Sequence, residues 1–250
     1  MAASKLGKGL LWGTIGANIF IWGKWHVFAD AEAQKQGRDS HAYHLAQARH
    51  VRHMNENYTL SRRNMADGRW WTLITSAFSH YDTAHLAINM LVLHSTASLG
   101  LSAAVGLGPA RLAVLGLGSA VCGSLGSLYD YQKSAEAGLP ESRGLGASGM
   151  VEGIMVATML AQPRWPMMVF PIPVEIPYWA VVAGFVGYDM YRLYQEKKSG
   201  QKHVNWMGSY TGYAAHLGGA VFGAAFYFLA LRRGMLIRRA AWAQKFRNMR

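Results

Sequence analysis

The chain has 250 residues, of which 51% are apolar, 28 are glycine and only 15% are charged. That charged share is well below the ~25% of a soluble domain, and the long apolar runs make the bilayer the solvent to reason with. The formal charge of +12 does not point to nucleic acid. Much of it is clustered at the C-terminal end, in Arg232, Arg233, Arg238, Arg239, Lys245, Arg247 and Arg250, with no acid among them. A basic tail next to an apolar span suits topology and attraction to anionic lipid. The single cysteine, Cys122, lies in an apolar run, excludes an internal disulfide and reads as a packed thiol.

Residues 1–9 are too short for a cleavable signal, and no transit peptide is evident despite Lys5 and Lys8. Residues 10–28 form the first expected span, with Trp22 and Trp25 suited to the interface. A first loop, 29–69, is polar and mixed in charge. It carries His41 with His44 and His50 with His53, pairs that could bind a metal. Without a third and fourth ligand they read instead as the polar face of an interface-lying or solvated helix, and no metal is expected. Residues 70–78 are aromatic and β-branched and dip into the interface. A second span covers about 83–101 and, with His80 just ahead of it, carries a heavy polar load in His85, Asn89 and His94.

The third span, about 109–128, is rich in Gly and Ala and so permits close helix approach. A polar loop, 129–143, follows. The fourth span, about 148–162, is short: at 1.5 Å per residue it covers ~22 Å of a ~30 Å hydrocarbon core. Pro163, Pro166, Pro171, Pro173 and Pro177 argue against a regular helix until about 176. The fifth span reaches about 194, a polar loop covers 196–208, and the sixth span covers about 209–231, ahead of the basic tail 232–250. The expected fold is all-α: a polytopic bundle of six transmembrane helices, forming one domain over 1–250.

Parity then selects a site. With six spans, the second, fourth and sixth start from the same membrane face. His85 lies near the start of the second, Ser148 at the start of the fourth and His216 about two turns into the sixth, all within roughly 10 Å of that face. A fourth span too short to cross forces the loop before it down into a cavity lined by protein or water, and hydrolysis needs that water. Ser148 needs its proton removed as it attacks, which a neutral His216 imidazole can do. The oxyanion that follows needs donors: the Ser148 backbone N–H at a helix start, Asn89 and a ring N–H of His85, which shares a helix face with Asn89. Gly146 and Gly149 let neighbours approach Ser148. Gly212, Gly219 and Gly223 form a small-residue seam toward the fourth span. Glu152, one turn below Ser148, reads as a neutral structural carboxyl, with orientation of His216 as the alternative. Position 150 is Met, so there is no Gly-x-Ser-x-Gly elbow, and no His-Glu-x-x-His occurs.

Gly146-Ala147-Ser148-Gly149, the segment from His80 through His85 to Asn89, and Ala215-His216-Leu217-Gly218-Gly219 together resemble the motifs of the rhomboid family of intramembrane serine proteases. The wording around His80 and His216 is most similar to its mitochondrial, presenilin-associated rhomboid-like branch. The resemblance covers nearly the whole chain. It implies a Ser148–His216 dyad that cleaves transmembrane segments of other membrane proteins, with His80 a secondary residue at the cavity mouth. It implies single-span membrane substrates, no cofactor and a place in the mitochondrial inner membrane. A catalytically silent relative that binds membrane clients is the alternative. Oligomeric state and membrane orientation stay open.

Overall fold

The computed structural model describes residues 5–28, 35, 41–102, 105–139, 141–169, 172–202 and 210–247. Helices stand where the six spans are expected. The first, α1 (Lys5–Gly23), ends in a π-helical turn, Lys24–Phe28. The first loop contributes α2 (His41–Tyr58), the short α3 (Arg62–Ala66) and α4 (Thr72–Thr75), and a 3-10 turn, Ser76–Phe78. Most of 29–40 lies outside the described residues. Then come α5 (Thr83–Leu101), α6 (Pro109–Glu136), α7 (Ser148–Ala161), α8 (Tyr178–Ser199) and α9 (Tyr213–Phe226). A π-helical turn, Tyr227–Leu231, joins α9 to α10 (Arg232–Arg247), which carries the basic tail.

Among the described residues, three helices are long and apolar enough to cross a membrane: Thr83–Leu101, Pro109–Glu136 and Tyr213–Ile237. The outward faces agree with a lipid solvent. Leu91, Val114, Phe185, Val221 and Leu229 are all exposed, the last at 87%. Apolar exposure on that scale marks contact with membrane or partner rather than water. The molecule is a multi-pass membrane helix bundle.

Helix α7 is its axis. Eleven of its residues are buried, among them Gly149, Met150, Glu152, Ile154 and Thr158, and α5, α6, α8 and α9 all pack on it. A helix buried all round must be apolar all round, and Glu152 is the single charged residue in it. Small residues seat α9 between α6 and α7. A Cβ at Gly219 would overlap the Gly149 carbonyl, and one at Gly223 the Gly153 carbonyl. On the other flank, a Cβ at Gly123 would lie 2.8 Å from the Ala215 carbonyl oxygen. The expected seam is therefore present, with one correction: Gly212 is outside it, since a Cβ there meets only the Ala215 Cβ, at 3.6 Å.

Three other boundaries differ from expectation. Helix α6 runs two turns past 128 to Glu136, where Lys133 and Gln132 both bond the Glu136 carboxylate at 2.9 Å. Helix α8 continues to Ser199 and stops at Gly200, which takes the left-handed φ of 67°. The Lys202 ammonium then bridges Asp130 of α6 and Glu196 of α8, fixing the start of the connection to α9. Finally, the proline-rich connection is an antiparallel hairpin, β1 (Pro166–Val169) with β2 (Ile172–Pro177). Pro166 and Pro177 pair at its open end, where the ladder can dispense with an N–H, and Val169, Ile172, Val174 and Ile176 supply strand formers.

Candidate active site

The loop before α7 is held by three separate anchors. Leu60 and Gly144 exchange backbone hydrogen bonds of 2.7 and 2.9 Å. The Gly146 N–H donates to the Ser76 carbonyl at 2.9 Å. The Ala147 N–H donates to His80 Nε2 at 3.2 Å. Ala147 is the N-cap of α7 and offers no side-chain cap, so Ser148 is the first helical residue. The N–H groups of that first turn have no helical acceptor and point out of the helix end, the polarity an oxyanion requires. The expected helix start at Ser148 is observed.

His80 differs from the expected residue at the cavity mouth. It is fully buried, behind the loop, and accepts from Ala147. Burial, with His85 beside it, pushes His80 down to about 3. It therefore stays a neutral acceptor across the physiological range. Its Nδ1 has no partner among the described residues.

His85 and Asn89 sit on α5. Asp82 caps that helix by accepting from the His85 N–H at 2.7 Å, which fixes where the imidazole starts. The ring lies against Gly146: a Cβ there would come 2.7 Å from His85 Cε1. Gly146 also has φ 130°, a region that L side chains rarely enter. Asn89, buried on the next turn, donates one amide hydrogen to the His85 carbonyl at 2.9 Å. The second amide hydrogen is left for an acceptor in the site.

His216 is in the first turn of α9, not the second, because the helix begins at Tyr213 rather than near 209. Its neighbour Ala215 is where α9 meets α7: a Cβ at Gly149 would lie 3.0 Å from the Ala215 carbonyl oxygen. Ser148 and His216 are thus each adjacent in sequence to residues in backbone contact. Among the described residues no hydrogen bond joins the Ser148 hydroxyl to His216. His216 Nδ1 is instead 2.8 Å from Asp189 Oδ2, on α8. Sequence reasoning passed over Asp189. The signal was available, since a carboxyl inside an apolar span is itself a functional flag. Glu152 is buried with Oε1 unpartnered among the described residues, and it is not the group bonded to His216.

The first-loop histidines take other work. His50 Nε2 bonds the Lys24 carbonyl at 2.9 Å, tying α2 to the end of α1. Among the described residues no three His, Cys, Asp or Glu side chains converge as a metal site.

The Rhomboid domain family matches residues 67–233, which hold His80, His85, Asn89, Ser148, Asp189 and His216. RHOMBOID-like protein 12, mitochondrial, from Arabidopsis thaliana is 35% identical over 193 residues, covering 72% of this chain and 52% of that protein. Rhomboid protein 1, mitochondrial, from Saccharomyces cerevisiae is 30% identical over 219 residues, covering 88% of this chain and 52% of that protein. Rhomboid-like protein 16, chloroplastic, from Arabidopsis thaliana is 26% identical over 203 residues, covering 77% and 56%. The chain spans about half the length of these relatives. The match to the family covers most of the chain, including α5 to α9, and the chain belongs to the rhomboid family.

Proposed function

We propose that this protein is an intramembrane serine endopeptidase that cleaves single-span transmembrane segments. The observation that carries the proposal is the backbone crossing of α7 and α9, where Gly149 follows the nucleophile and Ala215 precedes the base. Ser148 Oγ attacks the scissile carbonyl while its proton passes to His216 Nε2. The Ser148 N–H, the second Asn89 amide hydrogen and a His85 ring N–H surround the oxyanion. The proton on Nε2 then goes to the leaving amine, and water hydrolyses the acyl-enzyme by the same steps in reverse. No cofactor enters. Relatives named as mitochondrial support a mitochondrial membrane as its location, and the inner membrane is part of this proposal.

A second reading, a silent relative that binds membrane clients, draws on one observation: Ser148 and His216 are not hydrogen-bonded. Catalytic hydrogen bonds commonly tighten only when substrate is bound, so that observation does not displace the first reading. The deciding experiment reconstitutes the protein in liposomes with a single-span reporter and adds a fluorophosphonate probe. The expected result is new termini within the reporter's span and acylation of Ser148. A folded protein that does neither would establish the second reading.

The glycine before the nucleophile gives a further expectation. Gly146→Ala must adopt a strained φ and push the His85 ring away. Displacing an oxyanion donor by ~1 Å costs about 10²-fold in rate. Cleavage assays are expected to show that loss in kcat, with KM nearly unchanged.

A further inference from the structure

We infer that Arg192 is a substrate-binding residue: its guanidinium takes a carboxylate side chain of the segment being cut, roughly two to four residues from the scissile bond along an extended chain. The role rests on the protease reading, but the subsite can be tested without cleavage.

Arg192 lies on α8, three residues beyond Asp189, whose Oδ2 meets His216 Nδ1. Consecutive spans run in opposite directions, so the C-terminal part of α8 nears the face from which α9 begins. Arg192 is therefore about one turn closer to that face than the contact with His216. Its guanidinium donates to the Tyr213 hydroxyl. Tyr213 is buried, and its ring stands T-shaped to His216 with centroids 6.4 Å apart. Tyr188 packs on Tyr213 as well, at 6.2 Å. A buried aromatic thus moors the cation beside the general base.

What the guanidinium lacks is an acid. The two carboxylates nearest to it along α8 are engaged elsewhere, Asp189 by His216 and Glu196 by Lys202. Among the described residues no carboxylate forms an ion pair with Arg192, and its Nε–H is buried without an acceptor. An ionised group without a counter-charge at membrane depth is costly, and by default it marks a site. A guanidinium presents its N–H groups as a planar fork, the complement of a carboxylate. The ligand that must pass this spot is the substrate chain. At ~3.3 Å per extended residue, the reach from His216 past the Tyr213 ring to Arg192 spans about two to four residues. An Asp or Glu that far toward the face lies near the membrane surface, where a charged side chain costs less than in hydrocarbon.

The test uses single-span reporters that differ in one residue, Glu or Gln, placed in turn at each of the first four positions on that side of the scissile bond. The vesicles are phosphatidylcholine. The wild-type protein is expected to favour Glu at one position by about 10–100-fold in kcat/KM, mostly through KM, because the contact is remote from the reacting atoms. Arg192→Gln is expected to erase that preference, and Arg192→Glu to favour a Lys reporter instead. An Arg192→Gln protein that slows both reporters alike, with the preference intact, overturns the inference and leaves the arginine a structural role. So does a wild-type protein indifferent to Glu at every position. A demand for anionic lipid in place of reporter charge also overturns it, and assigns Arg192 to a lipid phosphate. Should Arg192→Gln not fold, the wild-type scan decides alone. Should the wild-type protein cleave no reporter, the protease reading fails, while binding of the same reporters to the Ser148→Ala protein still decides whether an acidic side chain is preferred.

Discussion

Ser148→Ala is expected to reduce cleavage by about 10⁶-fold, the loss typical when the nucleophile of a serine protease is removed. The fold should not notice. Ser148 is the first residue of α7 and only half-buried, and its hydroxyl has no hydrogen-bond partner among the described residues. Alanine is also the better helix former there, by a few tenths of a kcal/mol. Thermal unfolding in detergent should therefore leave the melting temperature unchanged or slightly raised, while the cleaved fragment disappears. His216→Ala is expected to lose as much activity, and the double variant no more than either single one, because the two residues perform one proton-coupled step. Cleavage that survives Ser148→Ala would remove Ser148 as the nucleophile and, with it, the mechanism.

The start of α7 and the packing seam were legible in the sequence for a physical reason. Hydrocarbon demands an uninterrupted apolar run, so the change from the polar loop to Met150 marks the helix start within two residues of Ser148. Glycines spaced by four, such as Gly219 and Gly223, mark a face that another backbone can reach. Gly212, seven residues before Gly219, precedes the helix, so it has no face to share. Helix ends were not legible from hydropathy. The apolar window of α6 closes near 128, yet its backbone ladder continues to Glu136, because a polar helix is stable beyond the hydrocarbon when its charges pair. The hairpin 166–177 was not foreseen because the prolines were read only as arguing against a helix, whereas at the paired ends Pro166 and Pro177 cost the ladder nothing. Asp189 escaped because parity was applied only to helix starts. Helix α8 runs toward the face from which α9 begins, so a residue in its body can reach a base in the first turn of α9.

The crossing of α7 and α9 is where the remaining large effect is expected. Gly219→Val places a branched side chain where the Gly149 backbone already stands: the carbonyl oxygen, carbonyl carbon and Cα of Gly149 all lie within 3.1 Å of the new Cβ position. Backbone atoms cannot change rotamer, so the two helices must part. Over-packing typically costs about 1–3 kcal/mol, and a contact with no flexible partner belongs at the upper end. The same separation carries His216 away from Ser148, and ~1 Å there is enough for about 10²-fold in rate. Gly219→Val is therefore expected to lower both the melting temperature and kcat, whereas Ser148→Ala lowers kcat alone. Gly212→Ala is the control. Its Cβ meets an ordinary contact at 3.6 Å, so activity and stability should stay near wild type. Gly118 shows what a relievable obstacle looks like. A Cβ there overlaps the Phe222 ring, so Gly118→Ala should be rescued by Phe222→Ala. No truncation of a neighbouring side chain should rescue Gly219→Val, because its obstacle is already a glycine.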